Sequence, residues 1–117
     1  MFTDIKILVV DDDERKRSLL VDVVKRKAQE ILECSNGIDA LGEYSIHQPD
    51  YVLIDMHMKS LDGYTTTGLI HQFYPNAKIL LVSKNTSPVE KEKAQQAGAS
   101  AVISEDSLSD ILNYINH

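Results

Sequence analysis

The chain has 117 residues, a formal net charge of −6 and an isoelectric point near 5.1. This length accommodates one domain with its own hydrophobic core and is too short for two. The negative charge disfavours non-specific binding to nucleic acids or membrane surfaces, because both are anionic. We therefore expect one acidic domain whose partners are neither nucleic acid nor membrane.

Cysteine usage and the start of the chain indicate a compartment. A single cysteine, Cys34, cannot form an internal disulfide, which fits a reducing environment and a core thiol. The N-terminus carries no basic leader before a long apolar segment, and no apolar run approaches the roughly 20 residues of a membrane span. We expect a soluble, cytoplasmic protein.

Apolar runs of strand length alternate with helical segments along the whole chain. The runs are continuously apolar, as strands covered on both faces require. In chain order, the predicted elements are strand 5–10, helix 14–27, strand 30–34, helix 37–44, strand 51–54, helix 64–73, strand 79–82, helix 88–98, strand 101–103 and helix 108–115. This order predicts one α/β domain over residues 1–117, with a three-layer, doubly wound, parallel five-stranded sheet.

The sequence predicts the last three helices with different clarity. The helix at 64–73 is the weakest prediction, because it combines three threonines with a glycine. The fourth helix begins after Ser87 with a proline and a capping-box glutamate, and it ends near Gly98. The last helix has Ser107 as its N-cap and a clear apolar face, formed by Leu108, Ile111, Leu112 and Ile115.

Carboxylates cluster where two predicted strands end. Asp11, Asp12 and Asp13 follow the first strand, and Asp55 follows the third. Open α/β sheets bind ligands outside the carboxyl ends of their strands, at the topological switch point. The sequence therefore predicts one negatively charged pocket at this edge. For Asp13, capping of the first helix is the preferred interpretation, because an acid suits that position.

Such a pocket requires positive charge. Two unit charges about 4 Å apart repel by roughly 4 kcal/mol at an effective dielectric near 20, so clustered ionised carboxylates need a counter-charge. Oxygen ligands with few or no His or Cys favour Mg2+ or Mn2+. One carboxylate then stays available as a nucleophile towards a phosphoryl group, and the product would be an acyl phosphate.

Motifs along the whole chain resemble the receiver domain of bacterial two-component response regulators, of the kind found in chemotaxis regulators. The resemblance implies a flavodoxin-like fold with strand order 2-1-3-4-5. The matching segments are the acidic pair in Val9-Val10-Asp11-Asp12, the phosphoacceptor Asp55, the turn Leu61-Asp62-Gly63, Ser83 at the end of strand four, and Ala97-Gly98-Ala99 before strand five.

The resemblance also implies roles for individual residues. Asp55 would accept phosphate from a histidine kinase or a histidine phosphotransfer protein, so the domain would be a signalling phosphoacceptor and not an enzyme. Asp11, Asp12, Asp55 and the backbone carbonyl of His57 would bind Mg2+ or Mn2+. Ser83 would donate its hydroxyl to a phosphoryl oxygen and move. The added charge would change the helix 4–strand 5–helix 5 face for a downstream protein.

One position of the family pattern is reversed in charge. Glu105 stands where the family places a lysine that pairs with the acidic pocket and the phosphate. Lys84, beside Ser83, and Lys59, after the phosphoacceptor, are the candidate replacements for that charge. Lys84 is the better candidate, although a solvated surface lysine is the competing interpretation.

Glu105 also motivates a second function. A pseudo-receiver would keep the fold and act as a protein-interaction module that signals without phosphorylation. A Mg2+-dependent phosphohydrolase would need a general acid near its nucleophile, and the cofactor phosphate of a flavin carrier would meet the acid cluster, so both are disfavoured. Because the last predicted helix reaches the end of the chain, we expect no output domain here. The sequence leaves open the oligomeric state and whether the chain belongs to a longer regulator.

Overall fold

Five parallel strands form a single sheet in a computed structural model that describes residues 4–115. The strands are β1 (Lys6–Val10), β2 (Glu30–Cys34), β3 (Tyr51–Asp55), β4 (Ile79–Ser83) and β5 (Ala101–Ser104). Their spatial order is β2-β1-β3-β4-β5, with parallel pairing at every junction. The predicted α/β fold, its flavodoxin-like topology and its strand order are confirmed.

Helices cover both faces of the sheet. They are α1 (Glu14–Val24), α2 (Gly37–His47), α3 (Gly63–Phe73), α4 (Pro88–Ala97), a 3₁₀ segment (Glu105–Asp110) and α5 (Ile111–Tyr114). Side chains of α1 and α5 pack with one face of the strands, and side chains of α2, α3 and α4 pack with the other. Within residues 4–115, no helix has both the length and the apolar character needed to cross a membrane.

Strands β1, β3 and β4 are buried along almost their whole length. Successive residues of β1 alternate between the two cores, so Ile7 packs on the α1 and α5 side while Leu8 packs on the opposite side. Burial on both faces explains why these strands read as continuous apolar runs. Cys34 ends β2 as a buried thiol, and its burial raises its pKa to about 12, with Glu43 and Asp39 adding to the effect.

Both ends of α4 follow the predicted local chemistry, and α3 begins with a cap that was not predicted. Ser87 accepts a hydrogen bond from the Glu90 backbone N–H at the start of α4, and Gly98 ends this helix in the left-handed region, with φ 108°. In α3, the Asp62 carboxylate caps the first turn by accepting from the Thr65 N–H. Two buried threonines anchor the middle of α3, which offsets their weak helix propensity.

The last helix differs from its prediction. A 3₁₀ segment precedes a short α5, and the backbone at Ser107 leaves helical angles, with φ −138° and ψ 52°. Ser104 caps the 3₁₀ segment by accepting from the Asp106 N–H at 3.1 Å. Helical structure therefore begins at Glu105, directly after β5, is interrupted at Ser107, and continues into α5. The predicted first helix also ends earlier, since α1 stops at Val24.

Candidate functional site

Three carboxylates meet at the carboxyl edge of the sheet. Asp11 directly follows β1, Asp55 ends β3, and these strands are neighbours in the sheet. Oxygen atoms of Asp11, Asp12 and Asp55 lie within 4.8 Å of one another. Asp11 and Asp55 are buried, whereas Asp12 is exposed at the rim. The structure therefore brings together the acids that the sequence placed at one pocket.

Asp11 is the most constrained of the three. Its Oδ1 accepts a hydrogen bond from the Asp13 backbone N–H at 2.9 Å. Its Oδ2 is buried and receives no hydrogen bond from any residue in the described part of the chain. Burial raises the pKa of Asp11 to about 6; the Asp13 N–H opposes this shift, and the charge of Asp55 adds to it. An unpartnered buried carboxylate oxygen is costly, so this atom calls for a cation.

Asp12 and Asp13 are held by different backbone groups. The Oδ2 of Asp12 accepts from the Lys59 backbone N–H at 2.8 Å, which ties the loop after β3 to the loop after β1. Asp13 caps α1 by accepting from the backbone N–H groups of Arg15 and Lys16. The interpretation of Asp13 as a helix cap is confirmed.

Asp55 is paired with a lysine that the sequence analysis did not single out. The Nζ of Lys16 lies 2.8 Å from Asp55 Oδ1 and 2.5 Å from Glu105 Oε1. Burial raises the pKa of Asp55, and the hydrogen bond from Lys16 opposes that shift. Burial lowers the pKa of Lys16, yet its hydrogen bonds to Asp55 and Glu105 outweigh burial and raise it above its usual range. The ammonium thus bridges two acids from separate elements.

The remaining predicted residues surround this pocket. Ser83 is buried at the end of β4, one residue beyond the partner of Asp55 in the strand register, and its Oγ accepts from the Asn85 N–H at 3.0 Å. His57, Lys59 and Lys84 are exposed. Two lysines, Lys59 and Lys84, were the candidates for the missing positive charge, and of these Lys59 contacts the pocket through its backbone N–H. The lysine side chain that pairs with Asp55 is a different one, that of Lys16.

A local signal could have drawn attention to the basic start of α1. Acidic residues suit the first turn of a helix, because unpaired N–H groups make that end positive. Lys16 lies in the first turn of α1, three residues after the cap Asp13, at the edge of the sheet where the acids converge. Cations at this unfavourable position favour nearby carboxylates, but Arg15 and Arg17 flank Lys16 there, and the structure is needed to show that Lys16 is the one that reaches Asp55.

A model of the response regulator receiver domain matches residues 7–116 of the chain. The chain belongs to the response regulator receiver family. This receiver domain is 30% identical over 115 residues to the chemotaxis protein CheY of Halobacterium salinarum, covering 92% of this chain and 96% of that protein. It is 34% identical over 95 residues to CheY of Bacillus subtilis, covering 80% and 79% of the two chains.

The same receiver pattern occurs within larger proteins. The sensor histidine kinase RcsC of Escherichia coli strain K12 is 31% identical over 109 residues, which cover 93% of this chain and 12% of that kinase. Among solved structures, CheY4 of Vibrio cholerae superposes with a TM-score of 0.87 at 21% identity, covering 97% of the receiver domain and all of that chain. The CheX–CheY–BeF3–Mg2+ complex from Borrelia burgdorferi gives a TM-score of 0.85 at 23% identity, covering 93% and 84%. These structural likenesses concern the fold.

Proposed function

We propose that this receiver domain, over residues 1–117, is the phosphoacceptor of a two-component phosphorelay, with Asp55 as the phosphorylated residue. The observation that carries the proposal is the convergence of Asp11, Asp12 and Asp55 at one edge of the sheet. The donor would be a phosphohistidine on a histidine kinase or a histidine phosphotransfer protein. The domain then acts as a cytoplasmic signalling switch and not as an enzyme with a turned-over substrate.

The transfer step uses a carboxylate oxygen of Asp55 as nucleophile. This oxygen forms a bond to phosphorus while the phosphorus–nitrogen bond of the phosphohistidine breaks. The electron pair goes to the imidazole nitrogen, the imidazole takes up a proton from solvent, and the product on Asp55 is an acyl phosphate. The nucleophile must therefore be ionised, a condition that the Lys16 ammonium favours by donating to Asp55 Oδ1.

The donor set fits a hard divalent cation such as Mg2+ or Mn2+. Asp11, Asp12, Asp55 and the backbone carbonyl of His57 would hold it, since all four supply oxygen ligands. The unpartnered Oδ2 of Asp11 supports this assignment. When bound, the cation would supply positive charge against the oxygens of the transferring group.

The switch would extend from Ser83 to the surface along the neighbouring β5 edge of the sheet. We infer that the Ser83 hydroxyl donates to a phosphoryl oxygen and gives up its present bond from the Asn85 N–H. The phosphoryl group adds a charge of about −1.5 to −2, which biases the loop between β4 and α4. The face formed by α4, β5 and α5 carries the exposed aromatic side chain of Tyr114. This face would bind a downstream protein.

Treatment with a small phosphodonor, followed by intact-mass measurement, tests the proposal. With Mg2+ present, the wild-type chain should gain the mass of one phosphoryl group, and the gain should disappear with a chelator or in Asp55→Asn. Asp13→Asn is the matched control, because Asn also caps helices and Asp13 lies outside the acid triplet. Unlabelled wild-type protein under every donor and metal condition would indicate a pseudo-receiver instead.

A further inference from the structure

Lys16 joins three elements at the pocket. It extends from the first turn of α1, and its Nζ contacts Asp55 at the end of β3 and Glu105 directly after β5. The Lys16 side chain is 31% exposed and that of Glu105 is 18% exposed, so both are only partly accessible to water. Water screens such a pair less than a fully exposed one, although removing the charges from water offsets part of the attraction.

Lys16 lies beside apolar side chains as well as charged ones. Its side chain and Glu105 line a cavity of about 150 Å3. The other lining residues are Leu19, Leu20, Val82 and Leu108, from α1, β4 and the 3₁₀ segment. The aliphatic stem of a lysine packs against such surfaces while its ammonium reaches polar groups. The stem therefore borders apolar side chains, while its ammonium lies 2.8 Å from Asp55 Oδ1.

The charge balance of the pocket explains why a lysine is needed there. Glu105 adds a fourth carboxylate to the three acids of the pocket and is joined to them through Lys16. Phosphorylation would replace the single charge on Asp55 with a more negative group. Without a cation from the protein, each added charge would repel the incoming phosphoryl group. Lys59 and Lys84 are exposed and belong to other loops.

We propose that Lys16 is the cation that pairs with the phosphoryl group on Asp55, and that Glu105 is the residue that positions it. This inference rests on the proposed function of Asp55 as phosphoacceptor. The reversed charge at position 105 is then one half of an exchanged pair, because the lysine has moved to α1 and a glutamate anchors it. The three rotatable N–H groups and flexible stem of lysine allow the ammonium to follow the negative charge from the carboxylate to the phosphoryl oxygens. Lys16 keeps its proton throughout the transfer.

The first experiment measures the initial rate of phosphorylation by a small phosphodonor at saturating Mg2+, using intact mass. We expect Lys16→Met to lower this rate at least tenfold. Lys25→Met is the matched control, since Lys25 lies at the other end of α1 in an exposed pair with Asp22, and its rate should equal that of the wild type. Adding Glu105→Lys to Lys16→Met should restore the rate to within about threefold, because an ammonium again reaches Asp55.

The second experiment measures the affinity for Mn2+ without any phosphodonor. Removing the Lys16 charge should tighten Mn2+ binding about tenfold, because a competing cation leaves Asp55. Glu105→Gln should weaken Mn2+ binding, because it removes a negative charge from beside the pocket and keeps the Lys16 ammonium there. A purely structural role would not move the two affinities in opposite directions. Glu105→Gln also retains every pocket acid, so it tests the proposal even if Lys16→Met folds poorly.

The outcomes separate this inference from the proposed function. If the wild type takes up phosphate and Lys16→Met does so at the same rate, the role of Lys16 is refuted while Asp55 stays the phosphoacceptor. A slow Lys16→Met variant that Glu105→Lys fails to restore would also refute the exchanged pair. If the wild type itself takes up no phosphate, the proposed function fails.

Discussion

The buried carboxylate of Asp11 indicates that the pocket binds a cation. Its carboxyl is inaccessible to solvent, one of its oxygens has no partner within residues 4–115, and burial raises its pKa to about 6. Its ordinary pKa is 3.8, so between about pH 4 and pH 6 the folded state binds more protons than the unfolded state. The contribution of Asp11 to stability therefore falls as the pH rises through this window. Ionised Asp11 is a cost that a bound cation would offset.

Replacement of Asp11 tests this cost. In a chelator at pH 7.5, Asp11→Asn should raise the free energy of unfolding by about 1–2 kcal/mol, because the amide keeps the bond from the Asp13 N–H and carries no charge. Urea unfolding followed by circular dichroism measures the difference, which should vanish near pH 4. A variant that is less stable than the wild type at pH 7.5 would show that the ionised carboxylate is already compensated.

The positions of site residues could be predicted from the sequence where a short side chain directly follows or ends a strand. Asp11, Asp12 and Asp55 could be placed together because parallel strands align their carboxyl ends, and Asp13 could be read as a cap from local spacing alone. Lys16 could not be placed with equal ease. Its ammonium lies several bonds from the backbone, so its contact with Asp55 depends on the packing of α1 against the sheet rather than on sequence spacing.

At the scale of elements, local sequence signals predicted where helices end better than they predicted whether a helix has α or 3₁₀ geometry. Ser87 and Gly98 mark the ends of α4 through chemistry confined to a few residues. The last helix was predicted as continuous because apolar spacings of three and four residues fit both 3₁₀ and α geometry. The cap from Ser104 starts a 3₁₀ segment early, and the kink at Ser107 then separates it from α5. In α3, tertiary burial of threonines overrides a weak propensity.

Substitution of Gly98 tests the C-terminal end of α4. A Cβ at this position would lie 2.4 Å from the His71 ring, and its φ of 108° is strained for other residues. Gly98→Ala should lower the free energy of unfolding by about 2–4 kcal/mol, through left-handed backbone strain and overpacking against α3. Thermal or urea unfolding measures the loss.

Gly42 supplies the matched control within α2. Nothing lies within 4 Å of a Cβ added there, so Gly42→Ala should stabilise the protein by about 0.5–1 kcal/mol through helix propensity. Equal effects of the two substitutions would contradict the strained, crowded end assigned to α4.

At the scale of the whole molecule, the layered architecture followed from the alternation of strands and helices. Strand order did not follow from periodicity, which carries no information on which strands are neighbours; it came from the resemblance to a family. The resulting sheet has acids at both edges. At the amino edge, Lys6 pairs with Glu30 at 3.7 Å and its backbone N–H donates to Asp50 at 2.8 Å. A buried, unpartnered oxygen distinguishes the carboxyl edge from this one.

Paramagnetic broadening by Mn2+ is the direct test of a cation site at Asp11, Asp12 and Asp55, because it locates the bound ion among all acidic groups of the molecule. Substoichiometric Mn2+ is added to isotope-labelled protein, and amide signals are followed by nuclear magnetic resonance. Signals of residues 11–13 and 55–59 should broaden first, while those of Glu30 and Asp50 at the amino edge should stay sharp. Broadening that starts at Glu30 and Asp50, or that spreads evenly over the surface, would contradict a divalent cation site formed by Asp11, Asp12 and Asp55.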